Sequence, residues 1–257
     1  MSAPAPLLAA EGLGVRYGSF AALSDVTLAI HPNTVHSVIG PNGAGKTTLF
    51  HALTGRVQAS SGRIILDGRE ITHVSDDKRV ALGIARSFQV TSLFQDLDVR
   101  ENLRLAAQGR TPWQALAPWR GVGSSDEALT IADTVMQRLD LTDVAGRAAG
   151  DLSHGQQRRL EVGMSMAAKP RVILLDEPTS GMGIDDIEAM KTLIRDLGRD
   201  YTVLFIEHNM GIVMNISDKV TVMSAGRVLV EGPPAVVRDD PEVRRAYLGN
   251  MITGDLA

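Results

Sequence analysis

The chain has 257 residues, of which 44% are hydrophobic, and it carries a formal net charge of −4 with no cysteine. This length supports one large domain or two associated lobes, and the lack of cysteine excludes disulfides and thiolate chemistry. The acidic balance argues against a nucleic-acid surface as the main function. Its apolar runs are shorter than the roughly 18 residues that a membrane span needs, and the first residues lack the basic region of a signal peptide.

Short strands are predicted for the first third of the chain. The segments LGVRYG, VTLAI and VHSVIG have strand patterns, and GRIILDGREI is predicted to be an arm of a β-hairpin. The segment TTLFHALTG, directly after the third strand, is predicted to be a helix.

The sequence GPNGAGKTT, residues 40–48, lies between that strand and that helix. It matches G-x-x-x-x-G-K-[ST], whose glycines let backbone N–H groups turn inward around a diphosphate. Lys46 would place a positive charge at the β- and γ-phosphates, and the hydroxyl of Thr47 is a hard ligand suited to Mg²⁺. We therefore predict an ATP site at Gly40, Pro41, Asn42, Gly43, Ala44, Gly45, Lys46, Thr47 and Thr48.

The middle of the chain, from about residue 97 to 168, is predicted to be helical. It contains VRENLRLAAQ, DEALTIADTVMQRLDL and a helix within LSHGQQRRLEVGMSMAAKP, with Ser153 as its N-cap and Pro170 as its stop. A helix N-terminus with small residues suits a phosphate. The chain therefore has a second candidate phosphate site besides the glycine loop.

The last third alternates strands and helices again. The strand RVILLD is followed by a helix over IDDIEAMKTLIRDLG, and the later strands are YTVLFIEH, KVTVMS and GRVLVEG. Alternation around a helical block indicates a parallel α/β core with an inserted helical subdomain. Asp176 and Glu177 come at the end of a buried strand, where ligands bind in open α/β sheets, so Asp176 is a candidate for Mg²⁺ and Glu177 for the attacking water.

The order of these motifs resembles the ATPase subunits of ABC transporters. The resemblance runs from Leu7 to about Gly249 through the phosphate loop, Gln89 in ARSFQ, LSHGQ, LLDEP and His208 after FIE. It implies a P-loop nucleotide hydrolase core with an antiparallel β subdomain and an inserted helical subdomain. The implied boundaries are 7–96 and 170–240 for the nucleotide-binding core, 97–169 for the helical subdomain and 241–257 for a C-terminal helix and tail.

The resemblance also explains the second phosphate site. In this family two ATPase subunits pack head to tail, and each ATP lies between the phosphate loop of one subunit and the signature helix of the other. The implied signature residues are Ser153, His154, Gly155 and Gln156. The implied catalytic residues are Glu177, His208, Gln89 and Lys46, and the implied Mg²⁺ ligands are Thr47, Gln89 and Asp176.

Tyr17 in VRYG would stack on adenine by the same resemblance; the alternative is a core tyrosine on a half-buried strand. Two positions depart from the family. His154 stands where glycine is usual, so either the loop tolerates a side chain there or the local backbone differs. The loop after LLDEPTSG lacks the acid that many members carry near Gly183, which puts communication between the two ATP sites in doubt.

The tail EHNMGIVMNISDKV and the helix ending in AYLG resemble the ATPase subunits of branched-chain amino acid importers and their urea and amide relatives. This implies ATP and Mg²⁺ as ligands, a second ATPase subunit and membrane permeases as partners, an extracytoplasmic solute-binding protein as an indirect partner, and no nucleic acid. The protein would lie at the cytoplasmic face of the cell membrane. The segment 109–123, with Trp113 and Trp119, is a surface loop or, less favoured, a contact with the permease or membrane.

Three alternatives remain. The first is the ATPase of a lipopolysaccharide-export system, which has a similar tail. The second is an ABC ATPase without a permease, although this chain lacks the second cassette or long coiled-coil insertion typical of those. The third is a binding module without hydrolysis, which the presence of Lys46 and Glu177 disfavours.

Overall fold

The computed structural model describes residues 5–86, 93–108 and 126–246. Gln89, both tryptophans and the chain after Ala246 lie outside the described residues. The chain forms two compact units, Met1–Leu82 with Ile194–Ala257, and Gly83–Leu193.

Ten strands and eight helices are described below by their bounds. The strands are β1 (Leu8–Tyr17), β2 (Phe20–Ile30), β3 (Val35–Ile39), β4 (Ser61–Leu66), β5 (Arg69–Glu70), β6 (Ile84–Arg86), β7 (Val172–Asp176), β8 (Thr202–Ile206), β9 (Lys219–Ser224) and β10 (Arg227–Gly232). The helices are α1 (Lys46–Thr54), α2 (Asp76–Ala81), α3 (Val99–Gln108), α4 (Asp126–Arg138), α5 (His154–Ala167), α6 (Ile184–Asp200), α7 (Met210–Ile216) and α8 (Pro234–Asp239). Helix α6 begins in the second unit and ends in the first.

The first unit contains an antiparallel sheet in the order β2-β1-β4-β5. Strand β1 pairs with β2 from Leu8↔Ile30 to Tyr17↔Phe20, which confirms the strands predicted there. In β2 the buried positions Val26, Leu28 and Ile30 alternate with more exposed ones, as in a sheet with one covered face.

A second set of strands in this unit carries the phosphate loop. Strand β3 pairs in parallel with both β8 and β9, and all five residues of β3 and of β8 are buried. Complete burial is the expected state of parallel strands that are covered on both faces. Strand β10 runs antiparallel to β9, because the two-residue turn at Ala225–Gly226 cannot form the crossover that a parallel strand needs.

The C-terminus of α1 is held by an arginine that the sequence analysis did not single out. Arg79 of α2 is 1% exposed, and its guanidinium donates to the carbonyl oxygens of Ala52 and Leu53 at 2.7 and 2.8 Å. It also donates to the carbonyl oxygens of Val74 and Thr72. Burial lowers the pKa of Arg79 to about 10, so it stays charged at neutral pH and stabilises the negative end of the helix dipole.

The second unit contains the predicted helical block. Strand β6 pairs in parallel with β7, and α3 packs against α4 and α5. The α5 backbone lies so close to the end of α4 that a Cβ added to Gly163 would lie 2.2 Å from Cδ1 of Leu139, the residue after α4, and 3.2 Å from Cγ1 of Val135 in α4. Within the parts of the chain that the structure describes, no helix has the length and apolar character needed to cross a membrane.

Candidate nucleotide site

The predicted phosphate loop leaves the buried end of β3 and opens into α1. Gly40, Gly43 and Gly45 all have positive φ angles, of 153°, 78° and 98°. At Gly40 the space also requires glycine, because an added Cβ would lie 2.3 Å from the carbonyl oxygen of Met223. The loop can therefore bend back against β9 with its amides on the inner side.

Lys46 lies against this loop in the structure. Its Nζ donates to the carbonyl oxygens of Gly40 at 2.6 Å and Pro41 at 3.0 Å, and the residue is buried. No side chain of the described residues caps the N-terminus of α1, and Thr47 at its first turn is exposed. Free helix amides and a lysine next to them form a site that suits an anion such as a phosphate.

The turn between β9 and β10 supports the phosphate loop from the side. The amide of Gly226 donates to the carbonyl oxygen of Ala44 at 3.0 Å, and its carbonyl oxygen accepts from the amide of Ser24 at 2.9 Å. Ala225 and Gly226 have φ angles of 46° and 76°, typical of a tight hairpin turn. This support was missed in the sequence, although the glycine in SAGR between two predicted strands is a turn signal.

Tyr17 lies at the end of β1, opposite Phe20 of β2. Both rings are on the surface, with 50% of Tyr17 and 66% of Phe20 exposed. Tyr17 is therefore no core residue here, and its ring is open to a flat ligand such as adenine.

The end of β8 places His208 next to a buried carboxylate. Oε2 of Glu207 accepts from the amides of His208 at 3.1 Å and Asn209 at 3.5 Å, and Glu207 is completely buried. The His208 side chain is 64% exposed, with Nδ1 3.8 Å from Glu207 Oε2. Glu207 thus fixes the backbone from which His208 projects, a contribution that the sequence analysis did not find.

The end of β7 places Asp176 and Glu177 in the second unit. Asp176 Oδ2 accepts from the guanidinium of Arg86 on β6 at 3.1 Å, and both side chains are less than 10% exposed. Glu177 follows with φ of 47°, an unusual value for a residue with a side chain. Such backbone geometry concentrates at functional sites.

Ser153 begins α5 as its N-cap, as predicted. The amide of Gln156 donates to Ser153 Oγ at 3.3 Å, while the amide of Ser153 donates to Gln156 Oε1 at 3.0 Å. This reciprocal capping leaves the Ser153 hydroxyl hydrogen available to a ligand oxygen. His154 is the first residue of the helix and has no positive φ, so the site accommodates its side chain on an ordinary backbone.

Two side chains, one in each unit, offer oxygen atoms of the kind that Mg²⁺ binds. The buried carboxylate of Asp176 and the exposed hydroxyl of Thr47 are the donor types that Mg²⁺ takes alongside phosphate oxygens. In the described ranges no three acidic, histidine or cysteine side chains cluster as a metal cage. Each of the two donors fits Mg²⁺ by its own chemistry.

Comparison with known families agrees with this arrangement. The family described as ABC transporter matches residues 23–180, more than half of the chain. The chain belongs to the ABC transporter family. A second family, described as branched-chain amino acid ATP-binding cassette transporter, matches residues 227–251.

Curated relatives match along nearly the whole length. The chain is 40% identical over 250 residues to the high-affinity branched-chain amino acid transport ATP-binding protein BraF of Pseudomonas aeruginosa, covering 95% of this chain and 98% of BraF. It is 37% identical, with the same coverage, to the corresponding protein LivG of Escherichia coli. The lipopolysaccharide export system ATP-binding protein LptB of Haemophilus influenzae is 33% identical, covering 95% and 98%.

Solved structures show the same fold. The ADP conformation of MJ1267, an ATP-binding cassette of an ABC transporter, matches with a TM-score of 0.84 and 30% identity, covering 95% of this chain and 98% of MJ1267. The predicted family and fold class are thereby confirmed. The structure gives positions to every predicted site residue except Gln89.

Proposed function

We propose that this chain is the ATP-hydrolysing subunit of an importer for branched-chain amino acids or related small solutes. The observation that carries the proposal is full-length similarity to BraF and LivG in a chain that keeps both Lys46 and Glu177. The match of residues 227–251 to the branched-chain amino acid family supports the same transport class.

The phosphate loop would bind the nucleotide. The amides of the loop and of the first turn of α1 would donate to the phosphates, and Lys46 would exchange the carbonyl oxygens of Gly40 and Pro41 for the β- and γ-phosphates. Tyr17 would stack on adenine. When bound, Mg²⁺ supplies charge neutralisation at the phosphates, with Thr47 and Asp176, and by the family resemblance Gln89, as the residues that hold it.

Hydrolysis needs a water molecule that is aligned with the γ-phosphate. We propose that the Glu177 carboxylate accepts a proton from this water, and that His208 donates a hydrogen bond to the γ-phosphate. The buried Glu207 holds the backbone of His208 in place.

The α5 N-terminus would act on the nucleotide of a second ATPase subunit, identical or homologous, in a head-to-tail dimer. The Ser153 hydroxyl and the amides of Gly155 and Gln156 are hydrogen-bond donors at a positive helix end. These contacts exist only when a γ-phosphate is present, so ATP favours the closed dimer and hydrolysis reopens it. Membrane permeases would receive this motion at the cytoplasmic face, with an extracytoplasmic binding protein that delivers the solute.

The test of the hydrolysis step is a pair of variants in the purified full chain. Glu177→Gln should bind ATP normally and accumulate as a closed dimer, with turnover reduced at least about 100-fold, the lower end of the loss expected for one general base. Lys46→Ala should instead lose ATP affinity. Wild-type turnover in Glu177→Gln, measured by phosphate release, would overturn the assigned role of Glu177.

The transport class is tested by purification of the tagged chain from its native membranes in mild detergent. Co-purification of permeases and a second ATPase subunit, followed by ATPase stimulation with leucine and the binding protein, is the expected result. Co-purification of lipopolysaccharide-export components would favour the second candidate, which the similarity to LptB supports.

A further inference from the structure

The histidine that departs from the signature pattern contacts the loop that carries the proposed catalytic carboxylate. This β7–α6 loop, residues 177–183, begins at Glu177 and ends before α6. His154 occupies the first position of α5, and its ring extends from the helix toward this loop.

Two contacts define the approach. His154 Nε2 lies 3.3 Å from the carbonyl oxygen of Ser180. A carbonyl oxygen accepts only, so Nε2 carries the hydrogen and donates it. The ring also lies over Gly181, which has φ of 74° and where an added Cβ would be 3.1 Å from His154 Nε2.

The hydrogen bonds continue from Ser180 to Glu177. The amide of Ser180 donates to the carbonyl oxygen of Glu177 at 3.1 Å, and the amide of Met182 donates to that of Thr179 at 3.2 Å. The path from the ring to the backbone of Glu177 therefore contains two hydrogen bonds. Because Glu177 has a φ of 47°, its conformation depends on support from its surroundings.

The next residue of α5 lies against the other end of the same region. An added Cβ at Gly155 would lie 2.2 Å from Cγ of Asp186, in the first turn of α6. The first turn of α5 therefore contacts both the β7–α6 loop and the helix that follows it.

We propose that His154 is a positioning residue: it holds the β7–α6 loop from the signature helix and thereby orients the Glu177 carboxylate. The proposal rests on the proposed function, because it assigns Glu177 to ATP hydrolysis. The proposal explains why position 154 carries histidine where glycine is usual, because glycine has no side chain that could reach Ser180. It also links the helix end that would receive the partner's γ-phosphate to the hydrolytic residue of the same chain.

The first experiment measures hydrogen exchange in the nucleotide-free full chain. His154→Ala should speed amide exchange in residues 178–183 about fivefold, the factor that corresponds to one hydrogen bond of about 1 kcal/mol. His154→Gln, whose amide can still donate, should restore much of the protection. His73→Ala, which removes an exposed histidine from the other unit, is the matched control and should change nothing in this loop. Unchanged exchange in His154→Ala would overturn the proposal.

The second experiment separates kcat from KM for ATP. His154→Ala should lower kcat about fivefold with KM unchanged, because the phosphate loop is intact, and His154→Gln should recover most of the loss. A raised KM with unchanged kcat would show an ATP contact instead and overturn the positioning role. A wild-type chain that hydrolyses no ATP would overturn the proposed function, whereas faster loop exchange with normal kcat would overturn only the further inference.

Discussion

The loop that follows the buried strand β3 and the loop that follows the buried strand β7 are held in different ways. The phosphate loop after β3 is held mainly through backbone groups: three glycines with positive φ, and the amide of Gly226 on the carbonyl oxygen of Ala44. The β7–α6 loop is held by side chains from distant positions, Arg86 on Asp176 and His154 on Ser180. The phosphate loop should therefore be sensitive to side-chain atoms added at its glycines and at Gly226. The β7–α6 loop should be sensitive to the loss of the side chains that hold it.

The largest expected effect is at the buried ion pair before the β7–α6 loop. Arg86→Met should lower the free energy of unfolding by about 3–5 kcal/mol, because Asp176 loses a buried counter-ion. The matched control is Arg100→Met, which removes the partner of Asp133 in a pair about half exposed and should change the free energy of unfolding far less, because water screens this pair. Denaturant titration measures both.

A double-mutant cycle with Asp176→Asn sharpens this test. The sum of the losses in unfolding free energy of the two single variants should exceed the loss of the double variant. The second substitution removes the unpaired charge that the first one leaves buried. Additive losses would show that side-chain pairing does not hold this loop and would remove the contrast with the phosphate loop.

The phosphate loop should respond to one added methyl group. In Gly226→Ala the Cβ would lie 2.6 Å from the carbonyl oxygen of Ala22, at a φ of 76°. We expect a loss of about 2–4 kcal/mol, the sum of left-handed strain and overpacking, together with weaker ATP binding.

The control for Gly226 is Gly68→Ala, at a φ of 73° with nothing within 4 Å of the added Cβ. It should show the strain alone, about 1–2 kcal/mol, and normal binding of a fluorescent ATP analogue. Equal losses in both variants would show that the turn at Gly226 does not support the phosphate loop.

The same contrast explains what the sequence could and could not reveal. A loop held by its own backbone needs glycines at fixed spacing, so GPNGAGKTT is readable as a phosphate site. Helix α3 was likewise predicted over its observed length, Val99–Gln108, from its apolar spacing. The supports of Asp176 and of the α1 C-terminus come from Arg86 and Arg79, whose partners lie far away in the sequence and are brought together by the fold.

Short elements were also missed for a physical reason. Helix α2 has six residues, Asp76–Ala81, too few to show a helical period. It is held in place by the four carbonyl oxygens that accept from Arg79. A pattern of apolar residues cannot predict a helix that depends on a buried cation.

Lowering the pH should destabilise the first unit through the buried His36. His36 on β3 is buried with Nε2 2.8 Å from Thr221 Oγ1, and the Thr221 hydroxyl donates to Glu231. Burial, together with the nearby Lys219 charge, lowers the pKa of His36 from 6.5 to about 3. Below pH 6.5 the imidazole of His36 therefore binds a proton in the unfolded chain but stays neutral in the folded chain. The free energy of unfolding should fall by about 2 kcal/mol from pH 7 to pH 5 because of this difference.

The measurement is denaturant unfolding at both pH values, with His36→Gln as the variant that keeps a donor near Thr221 but does not titrate. The wild-type chain should lose about 2 kcal/mol more than the variant over this interval. Glu161 in the second unit has the opposite effect: burial raises its pKa, so the stability that this group contributes falls as pH rises. Equal pH dependence in wild type and variant would contradict a neutral buried His36.

The smallest expected effect is the change in stability caused by Gly155→Ala. Whether this variant is more or less stable shows if the close contact between Gly155 and Asp186 matters. Alanine is normally better than glycine in a helix by about 1 kcal/mol. In Gly155→Ala, however, the added Cβ meets the carboxylate of Asp186, so we expect a loss of about 1 kcal/mol instead. The double variant Gly155→Ala/Asp186→Ala should recover this loss in thermal unfolding, because the obstructing carboxylate is gone. A gain in the single variant would mean that Asp186 moves away freely, and that α5 contacts the β7–α6 region through His154 without help from Gly155.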